Sequence, residues 1–178
     1  VCTGAADGYG RLKEKPAMAL LHLGPGLANG IANLHNARRA RSPLINIIGQ
    51  HTSWHIAADA PLTMDIESLA KTVSAWTRTN VSAKNLSVDF AEAYSASMSG
   101  KIASLIVPND HLWAEVEEVI HLPTPRQFDP VDLSAIKTAA NLLGEGKKTA
   151  LMLGGKALRG QGLLNAGCIQ SMTGCSLF

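Results

Sequence analysis

Apolar residues come along this chain in two patterns, four-residue helical spacing and short unbroken runs, and their alternation predicts the fold. Residues 1–12 set Val1, Ala5, Gly8 and Leu12 on one side of a helix. Pro16 closes that stretch. Ala17–His22 (AMALLH) follows as a nearly continuous apolar run, the pattern of a parallel strand covered on both faces. Gly24-Pro25-Gly26 predicts a turn into a helix over residues 27–40, striped by Leu27, Ile31 and Leu34. Arg38, Arg39 and Arg41 complement the negative end of its dipole. Pro43–Gly49 (PLINIIG) reads as a second buried strand. Strand, helix and strand make a β-α-β unit, which implies a parallel sheet with a right-handed crossover.

Residues 50–65 are polar, lack periodicity and carry two histidines, which is the character of an active-site loop. Helices are expected at 66–72 and 83–98, the second with Leu86, Phe90 and Tyr94 at four-residue spacing, and Lys101–Pro108 is a third strand. Pro123, Pro125 and Pro130 mark 121–130 as a linker. Beyond it, Asp129 is placed to cap a helix with Pro130 in its first turn and Leu133, Ile136, Ala140 and Leu143 on its buried face. Gly144 and Gly146 stop that helix, and Thr149–Leu153 starts another strand. The expected class is α/β. A three-layer α/β/α domain with a parallel sheet covers 1–120, and 131–178 begins a second, Rossmann-like α/β domain.

Composition narrows the function classes. With 46% hydrophobic and 17% charged residues among 178, there is material for a real core. A net charge of +2 without a Lys/Arg-rich run argues against a nucleic-acid partner. The apolar runs are too short to span a membrane. Cys2, Cys168 and Cys175 are scattered and form no C-x-x-C pair, which suits a reducing, cytoplasmic setting better than a disulfide framework. The chain opens at Val1 in mid-pattern, so the native start is expected elsewhere.

The segment His22–Gly30 (HLGPGLANG) carries the most chemistry. Glycines between a buried strand and a helix let backbone N–H groups approach a ligand closely. Gly24, Gly26 and Gly30 imitate a relaxed nicotinamide-dinucleotide fingerprint. That fingerprint requires an acid at the end of the next strand, and here the strand ends Ile48-Gly49-Gln50. An NAD(P)-dependent oxidoreductase and a non-catalytic α/β scaffold stand as alternatives to the reading below.

TGAADGYGR (Thr3–Arg11), HLGPGLAN (His22–Asn29), NARRARSPLINIIGQ (Asn36–Gln50) and KIASLIVP (Lys101–Pro108) resemble, in order and spacing, the pyrimidine-binding domain of thiamine-diphosphate enzymes. The relatives it most resembles are acetolactate synthases and benzoylformate decarboxylase. The resemblance covers residues 1–113 and, more weakly, extends over 131–178 to the family's central domain. It implies a cofactor whose thiazolium carbanion attacks a 2-oxo acid so that carbon dioxide leaves. It assigns Gly24, Pro25, Gly26, Asn29 and Gln50 to the pyrimidine side and His22 to the position of an active-site histidine in benzoylformate decarboxylase. A histidine there can transfer protons or orient a carboxylate.

The family's glutamate that contacts the aminopyrimidine would fall just before Val1. Its Mg²⁺- and diphosphate-holding Gly-Asp-Gly belongs to a third domain and has no counterpart in this sequence. The chain alone is therefore expected to be inactive, and a homodimer or homotetramer is implied because the family's sites form between subunits. FAD, which some relatives bind in the central domain, has no support in these residues. Asp59-Ala60 is followed by Pro61-Leu62-Thr63 where acetolactate synthases have Phe-Gln-Glu, which leaves the acceptor substrate open. His51 and His55 lack the third ligand a metal pair would need. The arginines 38, 39 and 41 read as a solvated helix end or a subunit contact, and Trp54, Trp76 and Trp113 as core or interface.

Overall fold

A computed structural model describes residues 1–116, 129–145 and 148–178. The chain divides into two compact units, Val1–Arg126 and Gln127–Phe178. The first runs α1 (Cys2–Lys13), β1 (Ala17–His22), α2 (Leu23–Arg39), β2 (Leu44–Gln50), α3 (Ile66–Lys71), β3 (Trp76–Thr79), α4 (Leu86–Ser97) and β4 (Ile102–Pro108). Its four strands are parallel in the order β1-β2-β4-β3. Register pairs Leu21 with Ile48, and Ile48 with Ile106, so alternate residues of three strands share one face. That face meets α1, α2 and α3 through a core that includes Leu27, Leu34, Ile66 and Ala70. The opposite face carries Ile45 and Ala103 against Ala93, Phe90 and Tyr94 of α4. These are the three layers expected from the sequence.

Strand β1 departs from expectation. Its residues alternate between buried and exposed, and Met18 and Leu20 stand 63% and 78% exposed. β1 lies at the sheet's edge, and α4 packs chiefly against β2, β3 and β4, so the α4-side face of β1 has little cover among the described residues. An apolar run alone does not distinguish that edge position from a central one.

α1 also buries a different face from the one expected. Thr3, Ala6, Asp7 and Gly10 are inside, while Val1 and Leu12 are exposed. Small residues allow this close approach. A Cβ on Gly10 would meet the Pro43 carbonyl at 2.7 Å, and one on Gly30 would meet Thr3 at 2.9 Å. Asp7 on that face accepts from Nε and Nη2 of Arg11, at 2.8 and 2.7 Å, and from the Ser42 hydroxyl.

The expected helix at 27–40 begins four residues early. Leu23 follows His22 directly into α2 with φ 56°, so a leucine rather than a glycine takes the left-handed conformation at the strand-to-helix switch. Gly24, Pro25 and Gly26 lie inside the first turn. Arg38, near the helix's other end, donates to the Thr72 carbonyl at 2.7 Å and ties α2 to the end of α3.

In the second unit, α5 (Leu133–Gly144) is capped by Asp132, whose carboxylate accepts from the Ser134 amide at 2.8 Å, rather than by Asp129. Its expected apolar face is not buried. β5 (Ala150–Leu151) and β6 (Ser176–Leu177) pair in parallel, with α6 (Gln161–Thr173) between them in sequence. The linker's residues 121–128 and the helix stop at Gly146 lie outside the described residues. Among the described residues no helix is long and apolar enough to cross a membrane.

Candidate functional site

The carboxyl ends of β1, β2 and β4 point the same way because the strands are parallel, and ligands of open α/β sheets bind at that edge. A cavity of about 400 Å³ opens there, lined by His22 and Leu23 from the end of β1 and by Gly49 and Gln50 from β2. His51, Thr52, His55 and Leu62 of the following loop and Asn109 after β4 complete it. Of the six residues singled out from the sequence, His22 and Gln50 meet in this cavity. Gly24, Pro25, Gly26 and Asn29 lie on the first two turns of α2; Pro25 and Asn29 are exposed and Gly26 is half-buried.

Gly24 is spoken for by packing. A Cβ there would stand 2.5 Å from Met64, so the loop's Met64 occupies the space that the missing side chain leaves. The loop is held at a second point. Asp110 accepts from the Ser53 amide at 2.9 Å and the Ser53 hydroxyl at 2.6 Å, and that hydroxyl holds its carboxyl below the ordinary range. Next to it, His111 Nδ1 lies 2.7 Å from Asn80 Oδ1, and the Asn80 amide donates to buried Asp89 at 2.8 Å. Arg78 donates to the other Asp89 oxygen at 2.8 Å. This polar chain fixes the segment after β4 against β3 and α4.

Within the loop, the rings of His51 and His55 meet edge-to-face at 5.5 Å and 72°. The His51 amide donates to Gln50 Oε1 at 2.8 Å, while the buried Nε2 of His51 has no hydrogen-bond partner among the described residues. Trp54 and Trp113 are exposed, whereas Trp76 packs under α4 with the Arg78 guanidinium 5.2 Å from its ring centre. Sequence reasoning missed Asn109. Its one signal was position, immediately beyond the C-terminal end of a predicted strand.

Residues 1–69 match the family described as thiamine pyrophosphate enzyme, N-terminal TPP binding domain. The chain is 45% identical over 176 residues to IlvX of Mycobacterium tuberculosis, a protein that carries the name of an acetolactate synthase large subunit. That alignment takes in 98% of this chain and 34% of the relative. The acetolactate synthase large subunit of Corynebacterium glutamicum is 27% identical over 161 residues, 87% of this chain and 26% of that one. The chain thus spans about a third or less of the length of these relatives. A solved structure from Mycobacterium smegmatis that carries the name of a thiamin diphosphate-dependent enzyme superposes with a TM-score of 0.80 at 24% identity, covering 98% of this chain and 34% of its own. The benzoylformate decarboxylase of Polynucleobacter necessarius superposes at 0.74 and 23%, covering 84% and 29%. At such identities the likeness is one of fold.

Proposed function

We propose that this chain, matched at residues 1–69 to the N-terminal TPP binding domain of thiamine pyrophosphate enzymes, supplies the pyrimidine side of a 2-oxo-acid decarboxylase or carboligase site shared between two subunits. One observation carries the reading: every lining residue of the strand-edge cavity except Asn109 falls inside the matched segment. The residues there fit an aminopyrimidine. Pro25, Gly26 and Asn29 leave accessible surface on the first turns of α2, and Gln50 adds an amide at the adjoining cavity. Gly24 serves that surface indirectly, by admitting Met64.

Thiamine diphosphate, when bound, supplies the electron sink for cleaving the bond between a carbonyl carbon and its carboxylate. This chain's residues do the rest of the work on its side. His22 stands exposed at the end of β1 and lines the cavity; on this reading its imidazole would hold or deliver a proton for the reacting substrate. Leu23 and Leu62 keep part of the wall apolar. The Ser53–Asp110 clamp holds the loop that closes the cavity. Mg²⁺ and the diphosphate fall to a Gly-Asp-Gly that this sequence does not contain, so the 178-residue chain by itself should bind the cofactor weakly and turn nothing over.

The test is turnover of pyruvate and benzoylformate by the product of the whole reading frame, with thiamine diphosphate and Mg²⁺ supplied. We expect carbon dioxide release that depends on the cofactor, and a His22→Ala variant whose kcat falls by about 10²–10⁴-fold. Its cofactor affinity and melting temperature should stay nearly unchanged. Absence of cofactor-dependent turnover overturns the reading. An unchanged kcat with a lowered melting temperature assigns His22 to packing instead.

A further inference from the structure

We propose that the strand-edge cavity receives the substrate's carboxylate and that His51 is the residue that recognises it; this rests on the 2-oxo-acid reading and names the group that selects the substrate's charge. Among the described residues, the cavity's polar lining consists of three imidazoles (His22, His51 and His55), the amides of Gln50 and Asn109, and Thr52, with no carboxylate. Asp110, the residue after Asn109, has both oxygens engaged by Ser53. An anion leaving water for such a space needs N–H donors and no competing negative charge.

The lining is biased toward donors. Gln50 Oε1 already accepts from the His51 amide, which leaves the NH₂ of Gln50 as the group to offer a ligand. His51 stands out because its Nε2 is buried without a hydrogen-bond partner among the described residues. Buried polar atoms of this kind are few in folded proteins and carry a standing desolvation penalty. A carboxylate oxygen in the adjoining cavity, with a small rotation of the ring, supplies the missing partner. The ring is also held in advance, edge-on to His55 and on a loop pinned at Ser53, which limits the ordering that binding requires. The cavity's size suits a small oxo acid rather than a macromolecular ligand.

The experiment uses the 178-residue chain with ¹⁵N-labelled histidine, titrated by nuclear magnetic resonance at fixed pH with pyruvate, with pyruvamide as the neutral isostere, and with inorganic phosphate. The expected result is a saturable pyruvate shift largest at His51, with pyruvamide about tenfold weaker or more. His51→Leu should weaken pyruvate by about tenfold and His51→Gln, which keeps a polar group, should retain most of the binding. Circular dichroism melting confirms that both variants fold, and the pyruvate–pyruvamide contrast needs no variant. No saturable shift at His51, equal binding of pyruvamide or phosphate, or unchanged affinity in His51→Leu overturns the assignment. Cofactor-dependent turnover without a pyruvate response at His51 sinks this assignment and leaves the family reading standing. Carboxylate binding at His51 without turnover in the complete protein does the reverse.

Discussion

In the unit Val1–Arg126, helices pack on both faces of a four-stranded sheet, the outer face of edge strand β1 excepted, and leucines and isoleucines such as Leu27, Leu34, Ile48 and Ile106 lose nearly all contact with water. In Gln127–Phe178, the described hydrophobic residues that reach a buried position are Ala166 and Cys175. There Leu133, Ile136 and Leu142 of α5, and Leu163 and Leu164 of α6, remain exposed. Both regions have sequences patterned for α/β structure. The contrast shows that an amphipathic pattern states a demand for a partner surface, and that the demand is met only where a sheet of several strands supplies one. The candidate site sits on the region whose demand is met, and a preorganised cavity needs such rigid support.

Separating the two regions should give the largest effect. A piece ending at Arg126 is expected to unfold in one cooperative thermal transition, while the piece from Gln127 onward shows none. Ordering a residue's backbone costs about 1–2 kcal/mol, and two small buried side chains offset little of that. A cooperative melt of the second piece, followed by far-ultraviolet circular dichroism, would break the comparison.

A smaller effect should come from single truncations in the intact chain. Ile48→Ala empties a fully buried position between α2 and the sheet and should destabilise by about 2–5 kcal/mol. Leu142→Ala removes a side chain that is more than half exposed and should stay within about 0.5 kcal/mol. Urea denaturation of both variants measures the difference.

The mildest test uses acid. Burial pushes the Asp7 carboxyl up, but hydrogen bonds from Arg11 and Ser42 outweigh it and hold the group below its usual range in the folded state. A depressed folded value stabilises fully above the unfolded value of about 3.9 and is lost as pH falls through the folded one. Asp7→Asn should therefore flatten the fall in stability below about pH 4. Asp132→Asn, which removes only an exposed cap on α5, should leave the acid unfolding of the first unit unchanged. Melting temperatures between about pH 2 and 6 decide it.

How much of this was legible depended on whether a residue's role is local. β2 and β4 were readable because both faces of each are covered, so Leu44–Ile48 and Ile102–Val107 are apolar almost without interruption. β3 was not, because Trp76–Thr79 is short, half-buried and polar at Thr77, Arg78 and Thr79. The face of α1 was misread because glycine and threonine, rather than leucine, make its closest contacts. At the cavity, His22 and Gln50 had been assigned through the family resemblance, and both stand at the ends of strands. The Ser53–Asp110 clamp joins residues 57 positions apart, and no local pattern announces such a pair.

The strand order has a consequence for how the molecule is made. β4 is the last of the four strands in sequence, yet it lies between β2 and β3 and is the strand to which β3 is bonded. During synthesis Trp76–Thr79 leaves the ribosome well before the strand that gives it a place in the sheet. β2 likewise waits with one edge open, at ribosomal rates of about 5–20 residues per second. Order of emergence and order of assembly are therefore out of step. Until Ile102–Pro108 arrives, the nascent sheet can close no further than the β1–α2–β2 unit, whose pairings are far shorter in sequence than those of β2 with β4.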